Sequence, residues 1–306
     1  MRVAAIDCGT NSIRLLIADV TGGGLTGGRL TDVARRMEIV RLGEGVDRTG
    51  RLSDAALTRT KKALIAYASE IAELGIARVR MCATSASRDA SNAADFRAMV
   101  HGVLGIEPEV ITGDEEARLS FAGAVAGLSA ERPYLIVDIG GGSTEFVTGS
   151  DGVEHAISMD IGCVRMTERH LHSDPPTAAE IAAATGDITA AVETALAAVP
   201  GRSASTLVGL AGTVTTVAAL AQGLDSYDAE RIHHSRVPFS SVAKVTDELL
   251  AMPVSARLAL PVMHPGRADV IGGGALILKI IMERAGFSSV VASEHDILDG
   301  IAFSIA

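Results

Sequence analysis

Ile136-Val137-Asp138-Ile139-Gly140-Gly141-Gly142-Ser143-Thr144-Glu145 is an apolar, strand-like run that ends in an aspartate and continues into glycine, serine and threonine. An earlier stretch, Ala5-Ile6-Asp7-Cys8-Gly9-Thr10-Asn11-Ser12, repeats this pattern. A glycine turn lets backbone N–H groups approach an anion closely, and hydroxyl groups add further donors. One such loop is a weak signal. Two loops about one domain apart predict a phosphate that is held between two similar lobes.

The composition favours a globular α/β protein. The chain has 306 residues, enough for two domains, with 48% hydrophobic and 21% charged residues. Aromatic residues make up only 3% and tryptophan is absent, so the core must consist of alanine, valine, leucine and isoleucine. Such a core is typical of buried parallel strands that are covered by helices.

The charge and the chain start limit the classes of partner. A formal net charge of −10 lacks the basic footprint of a nucleic-acid-binding surface, although a local arginine cluster can still bind a polyanion. Three cysteines without a CxxC pair predict neither a disulfide framework nor a zinc site. The chain enters a strand directly, and no stretch approaches a membrane-spanning length. We therefore expect a cytoplasmic protein that binds neither nucleic acid nor a membrane.

The order of predicted elements repeats along the chain. Three strands, a helix, a strand, a helix and a strand are followed by a further helix and then by a similar series. This duplicated βββαβα order predicts two actin-like (ribonuclease H-like) α/β domains, at residues 1–125 and 126–306, with a cleft between them. The last helix is a candidate to pack back on the first domain. A doubly wound sheet with two unrelated phosphate loops is the alternative. The predicted strands are 3–6, 12–20, 36–41, 77–83, 110–111, 135–138, 144–148, 155–160 and 206–210, with a hairpin-like turn at 21–28 and helices at 53–75, 91–105, 115–126, 178–198 and 213–222.

Six segments in one order resemble a known family. They are 7–12, 83–90, 113–118, 138–145, 209–213 and 267–274. Together they resemble the exopolyphosphatase and guanosine pentaphosphate phosphatase family of the actin-like superfamily, over nearly the whole chain. The resemblance implies a hydrolase that releases terminal orthophosphate from inorganic polyphosphate. The alternative within the same family is the 5′-phosphohydrolase activity that converts pppGpp to ppGpp.

Release of a terminal phosphate requires groups that bind its oxygens. The two glycine loops, a third turn at a helix start and two arginines are the candidates. The third turn has a plain helix cap as its alternative, and exposed arginines are more often solvated. Arg14 is a weaker candidate of the same kind, and a strand residue that faces solvent is its alternative interpretation. The predicted phosphate-binding residues are Gly9, Thr10, Asn11, Ser12, Arg88, Gly141, Gly142, Ser143, Thr144, Gly212, Thr213 and Arg267.

A cation is needed to spread the charge of the transition state. Asp7, Asp138 and Glu145 are oxygen ligands suited to Mg²⁺ or another divalent cation. Asp138 and Glu145 flank the same glycine turn, so their carboxylates are expected to converge.

Glu115 and Glu116 are the candidates for the general base. Adjacent residues at a helix start point to different faces, so only one of them can face the substrate. Acidic residues at a helix start also have a purely structural explanation in the helix dipole. The resemblance assigns the base to Glu116 and leaves Glu115 a structural role.

Cysteine or histidine chemistry and two other classes of protein are the alternatives to this interpretation. Cys8 is interpreted as a small packing residue and not as a phosphocysteine nucleophile, and the histidines lack metal-ligand spacing. A sugar kinase of the same superfamily and a non-catalytic sensor of polyphosphate or (p)ppGpp remain as alternatives. The segment 293–300 lacks an arginine that the family commonly has there. The helical C-terminal domain of larger members does not follow the second lobe, so weak processivity on long chains is expected of a monomer. The resemblance also implies a homodimer.

Overall fold

The computed structural model describes residues 1–22 and 28–305, with only the backbone at position 89. Its described residues form two compact units. The first unit runs to Gly127 and includes the segment from His295 onward, and the second is Leu128–Glu294. The structure thus divides the chain after Gly127 instead of after residue 125. The turn predicted at 21–28 lies mostly outside the described residues.

Each unit is built on one mixed sheet. The strands are β1 (Arg2–Cys8), β2 (Ser12–Thr21), β3 (Arg29–Ile39), β4 (Val79–Ala83), β5 (Glu109–Val110), β6 (Tyr134–Ile139), β7 (Thr144–Gly149), β8 (Val153–Met159), β9 (Thr206–Leu210), β10 (Arg236–Pro238) and β11 (Ser289–Ala292). The strand order is β3-β2-β1-β4-β5 in the first unit and β10-β11-β9-β6-β7-β8 in the second. In each unit the first three strands pair antiparallel. Strands β4 and β5 extend the first sheet in parallel, and β9 and β11 extend the second in parallel, with β10 antiparallel at its edge.

Helices cover these sheets. They are α1 (Val46–Thr49), α2 (Asp54–Glu73), α3 (Ser85–Asp89), α4 (Ala93–Leu104), α5 (Gly113–Val125), α6 (Cys163–His170), α7 (Ala178–Ala198), α8 (Ala211–Ala221), α9 (Ala229–Ile232), α10 (Phe239–Ala251), α11 (Val254–Leu258), α12 (Ile271–Ala285) and α13 (Ile297–Ser304). Short 3-10 helices occur at Gly201–Ser203 and Pro265–Arg267.

The sheet of the first unit is buried on both faces. One face, with Ile6 and Ile13, packs against apolar residues of α2 and α4 such as Leu64 and Phe96. The other face packs against α5 and α13. Side chains alternate between the two faces of a strand, and both faces of this sheet are buried. Strands β1 and β2 are therefore nearly continuous apolar runs. Polar residues of these two strands therefore stand out as functional candidates.

The core of the second unit contains β6, β7, β9 and the helices α7, α8, α10 and α12. Helix α7 is long and apolar enough, by length and composition, to cross a membrane, which the sequence analysis did not foresee. Core helices pass the same test. Its buried residues Ala184, Ile188 and Val192 belong to the core of the second unit.

The strand order β8-β7-β6-β9-β11 of the second unit repeats the order β3-β2-β1-β4-β5 of the first. The predicted fold class, α/β with a duplicated actin-like core, is confirmed. Strand β3 begins seven residues earlier than predicted, because its polar edge residues give no apolar alternation. Helices α3 and α6 were not predicted, since neither is long enough to show an apolar period.

Two glycines allow α5 and α13 to pack against each other within the first unit. A Cβ atom at Gly123 would lie 1.8 Å from the carbonyl oxygen of Asp296, and one at Gly300 would lie 2.0 Å from that of Leu119. Both obstacles are backbone atoms, which cannot move aside as a flexible side chain can. The close approach of these helices therefore depends on glycine at both positions.

We expect Gly123→Ala to destabilise the first unit by about 1–3 kcal/mol, since overpacking against backbone outweighs the better helix propensity of alanine. Chemical unfolding followed by circular dichroism measures this change. Gly102→Ala in α4 is the control, because nothing lies within 4 Å of its Cβ position. It should be neutral or stabilising by up to about 1 kcal/mol. Equal stability of both variants would contradict the close packing of α5 against α13.

Candidate functional site

The loops after β1 and β6, called loop 1 (residues 9–12) and loop 2 (residues 140–143), have the same turn. In loop 1 the N–H of Gly9 donates to the carbonyl oxygen of Ser12 at 3.0 Å. In loop 2 the N–H of Gly140 donates to the carbonyl oxygen of Ser143, also at 3.0 Å. The two phosphate-loop candidates are therefore equivalent in local backbone structure, not only in sequence.

Donors from α6 hold the carbonyl groups of loop 2. Because the carbonyl and the next N–H of a trans peptide point in opposite directions, the N–H groups of residues 141–143 face away from these donors. Over the described residues, these three N–H groups have no hydrogen-bond acceptor. Consecutive N–H groups of this kind form an anion-binding concavity. The donors are the N–H of Cys163 to Gly140 at 2.9 Å, the N–H of Val164 to Gly141 at 2.9 Å and Nε of Arg165 to Gly142 at 2.7 Å.

Loop 1 is held in a comparable way by the segment after β3. Asn11 accepts bonds at its carbonyl from the N–H groups of Val40 (3.1 Å) and Arg41 (2.8 Å), and Thr10 accepts one from Gly43 (2.9 Å). The Thr10 hydroxyl also bonds to the hydroxyl of Ser85 at 2.9 Å. Loop 1 is thus fixed, with the carbonyl groups of residues 10–12 occupied.

Sequence reasoning missed two glycines that permit this bracing. A Cβ at Gly43 would lie 2.3 Å from Cγ2 of Thr10, and a Cβ at Gly162 would lie 2.3 Å from the carbonyl oxygen of Gly141. Each glycine stands a few residues after the third strand of its unit. That repeated position was the signal available in the sequence.

Asp138 and Glu145 are paired directly across β6 and β7. Opposite residues of an antiparallel pair share a face of the sheet, with Cβ atoms about 5 Å apart. Both residues are buried, and Ser158 donates to Oε1 of Glu145 at 2.8 Å. Two buried carboxylates on one face fit Mg²⁺, which takes one or two carboxylates and keeps several waters. Within residues 1–22 and 28–305, no group of three or more potential ligands is assembled.

The equivalent pair in the first unit is Asp7 and Arg14, which face each other across β1 and β2. Nε and Nη2 of Arg14 donate to Oδ2 of Asp7 at 3.0 and 2.6 Å, and Nη1 donates to Asp296. Arg14 therefore does not simply face solvent. An arginine in the place of Glu145 neutralises the aspartate, so Asp7 is less suited to a metal ion than Asp138.

Burial and charge act differently on the two carboxylates that share Arg14. Burial raises the pKa of Asp7 above its ordinary value, and Arg14 opposes this only in part. Burial also works to raise the pKa of Asp296, but the charge and hydrogen bond of Arg14 outweigh it and lower that pKa. The pKa of Arg14 is itself raised by both carboxylates, against the effect of burial, so its guanidinium stays charged.

The structure separates the two candidate bases. Glu116 is 7% exposed, and its Oε2 accepts a bond from Nη1 of Arg88 at 2.8 Å. The same Nη1 donates to the carbonyl of Ile111 at 2.8 Å. Glu115 lies nearer to solvent, its side chain 34% exposed, with Arg80 at 3.3 Å. The buried position and the arginine contact thus belong to Glu116.

The predicted residues Gly212, Thr213 and Arg267 lie together in the second unit. A Cβ at Gly212 would lie 2.2 Å from Cζ of Arg267, so the guanidinium rests on this glycine. Ala211 precedes it with φ 66°, a left-handed conformation that is rare for residues other than glycine. Strain of this kind gathers at functional sites.

Cys8 and Arg14 are separated by five residues, a spacing that phosphocysteine enzymes also use. The strand register excludes that chemistry, because Cys8 pairs with Ile13 and therefore points to the opposite face from Arg14. Cys8 is buried in the apolar core, and burial raises the pKa of its thiol. The structure places Cys8 as a packing residue.

Residues 16–306 match the model of the Ppx/GppA phosphatase family. Exopolyphosphatase 2 of Mycobacterium tuberculosis is 55% identical over 315 aligned residues, which cover 100% of this chain and 98% of that protein. The crystal structure of an exopolyphosphatase-like protein has a TM-score of 0.94 at 43% identity and covers 99% of this chain and 98% of its own. A Ppx/GppA protein of Aquifex aeolicus has a TM-score of 0.83 at 32% identity, over 99% of this chain and 97% of its own.

The repeated strand order and the matches over the whole chain define an α/β phosphatase of two units. The chain belongs to the Ppx/GppA phosphatase family. The family, the fold class and the hydrolase class predicted from the sequence are confirmed by these matches.

We expect none of the three thiols to react with iodoacetamide in the native protein at pH 8. Burial raises the pKa of Cys163 to about 11 and that of Cys82 to about 12, so at pH 8 about one Cys163 in a thousand is a thiolate. Mass spectrometry of the alkylated protein measures this. The same protein unfolded in guanidinium, where all three thiols should be modified, is the control. Rapid native labelling of Cys8 would contradict its packing role.

Proposed function

We propose that this protein is an exopolyphosphatase that releases terminal orthophosphate from inorganic polyphosphate by attack of water, with short chains favoured. The single structural observation that carries this proposal is the buried carboxylate of Glu116 held by Arg88. A hydrolase needs a fixed base beside a cation that attracts phosphate. The relative named exopolyphosphatase 2, identical at 55% of positions, supports polyphosphate as the substrate.

Glu116 accepts the proton of the attacking water. Its contact with Arg88 fixes the carboxylate by a charge-assisted hydrogen bond. Nε and Nη2 of Arg88, which its bonds to Glu116 and Ile111 do not use, bind a phosphate oxygen. One arginine thereby connects the base with the group that is attacked.

The backbone of loops 1 and 2 binds the phosphate oxygens, with the hydroxyl groups of the loops as further donors. The turn at Gly212 and Thr213, together with Arg267, binds other phosphate oxygens of the anionic chain. Backbone N–H groups, hydroxyl groups and an arginine bind phosphate oxygens and do not distinguish one nucleobase from another. They suit a substrate that is a run of phosphates. The proposed loop ligands are Gly9, Thr10, Asn11, Ser12, Gly141, Gly142, Ser143 and Thr144.

Asp138 and Glu145 would hold Mg²⁺, which when bound neutralises charge that develops on the phosphoryl oxygens. The shared face and the burial of these two carboxylates support this assignment. Asp7 offers only Oδ1, since Arg14 occupies Oδ2. We propose that Asp7, in the strand before loop 1, acts as an oxygen acceptor.

A second candidate substrate is pppGpp, since it presents the same terminal phosphoanhydride. The family model covers phosphatases named for both activities. We also propose a cytoplasmic location and a homodimer, as the family resemblance implies. A non-catalytic sensor is the remaining alternative.

Phosphate release by the purified protein with Mg²⁺ tests the function. Polyphosphates of several lengths, pppGpp and ATP are compared. We expect release from short polyphosphate to exceed release from ATP. If no substrate releases phosphate, the proposed hydrolase activity is wrong. Faster release from pppGpp than from polyphosphate would favour pppGpp as the substrate. Processive degradation of very long chains by a monomer would refute the preference for short chains.

We expect Glu116→Gln to lower kcat by about 10² to 10⁴, the usual contribution of a general base. The amide keeps the shape of the side chain but cannot accept the proton. Glu115→Gln is the matched control on the next residue, and it should keep most of the activity. Steady-state phosphate release measures both variants. Equal loss in the two variants would speak against Glu116 as the base.

We expect Asp138→Asn to raise the Mg²⁺ concentration for half-maximal activity by at least about tenfold, since even indirect supports of a metal site contribute that much to affinity. Titration of Mg²⁺ at saturating polyphosphate measures this shift. Glu154→Gln, which removes an exposed carboxylate of β8, is the control. An unchanged Mg²⁺ requirement in Asp138→Asn would remove this residue from the metal site.

A further inference from the structure

Arg14 divides its guanidinium between two buried carboxylates of the first unit. Nε and Nη2 both donate to Oδ2 of Asp7, which lies in β1, the strand before loop 1. Nη1 donates to Oδ2 of Asp296. Asp296 stands 282 residues later, directly before α13. The start of the last helix is therefore connected to the base of loop 1 through one side chain.

The second carboxylate oxygen of Asp7, Oδ1, accepts no hydrogen bond from Arg14. Oδ1 is buried, and it has no hydrogen-bond partner among the described residues. A buried acceptor without a partner costs free energy, so such atoms are rare and call for a functional explanation. The explanation must account for why Arg14, with five donors beside it, does not satisfy Oδ1.

An arginine beside an aspartate commonly binds both carboxylate oxygens through two parallel hydrogen bonds. Here two donors of Arg14 converge on one oxygen. The third nitrogen is held by Asp296, and this bond fixes the rotation of the planar guanidinium. Without it, Arg14 is free to turn and to cover Oδ1 as well.

We propose that Asp296 is a positioning residue that holds Arg14 on Oδ2 of Asp7 and so keeps Oδ1 available as an acceptor at loop 1. The group that occupies Oδ1 is a hydroxylic donor that arrives with the substrate, either a water molecule or a protonated phosphate oxygen. This inference rests on the proposed function, because it assigns Asp7 to the same phosphate-binding site as loop 1.

The two oxygens of Asp296 have separate tasks. Oδ1 accepts the N–H of Leu298 at 3.0 Å and caps α13, whereas Oδ2 binds Arg14. Asparagine is as good a helix cap as aspartate. Asp296→Asn therefore preserves the cap through its amide oxygen and removes only the acceptor for Arg14.

The test compares Asp296→Asn with Asp299→Asn. Asp299 belongs to the same capping box and is fully buried, but it binds Arg35 and not Arg14. We expect Asp296→Asn to lower kcat roughly tenfold with KM changed less than about twofold, the effect of one charged hydrogen bond. Asp299→Asn should lose thermal stability and keep kcat. Equal kcat in wild type and Asp296→Asn, or an equal loss in both variants, would overturn the proposal.

A second substitution distinguishes two roles of Asp296, the positioning of Arg14 and the support of α13. Lysine binds as a point charge and cannot cover both oxygens of Asp7. In the Asp296→Asn background, Arg14→Lys should therefore restore part of the lost kcat. If Asp296 acted only by supporting α13, the added change would lower kcat further, and that result would overturn the proposal.

A structural readout is independent of turnover. Crystal structures of the wild type and of Asp296→Asn should show Arg14 on one oxygen of Asp7 in the first and on both oxygens in the second. An unmoved guanidinium in the variant would overturn the proposal even if the enzyme is active. A wild type that releases no phosphate would refute the proposed function, while these two structures would still decide the role of Asp296.

Discussion

The register of the antiparallel pair after each first strand is the constraint on which the candidate site depends. A four-residue turn closed by one hydrogen bond forces the aspartate at the strand end to face the residue seven positions later. A shift by one residue would send these side chains to the opposite face of the sheet. In loop 2, donors from the segment after the third strand hold the carbonyl groups, and the N–H groups of residues 141–143 face away from those donors.

The same geometry carries opposite charge in the two units. Asp138 faces Glu145, so two buried carboxylates lie on one face, and we propose a divalent cation as their counter-ion. Asp7 faces Arg14, which supplies the cation internally and is itself shared with Asp296. The duplication thus produced two equal loops whose neighbouring charges differ. One loop is suited to a metal ion, and the other is suited to phosphate with an oxygen acceptor beside it.

Much of the fold was predictable, because apolar runs and their spacing report strands and helices directly. Helix α7 begins and ends at the predicted residues, and the repeated strand order follows from the repeated pattern. Strand β3 was predicted too short, since an edge strand needs few apolar residues. Among the site residues, Glu116 and Arg88 were both candidates in the sequence, but their direct contact depends on a loop and a short helix that brought them together.

The sequence by itself determined the two loops, the acidic residues beside them and the family, because these features reside in short contiguous segments. The tertiary structure decided what those residues touch. Arg14 as the partner of Asp7, the link from Asp296 to loop 1, and the glycines that let one segment rest on another all join residues far apart in the chain. Such contacts have no local signature, since the distance between two side chains is fixed by the packing of strands and helices and not by their spacing in the sequence.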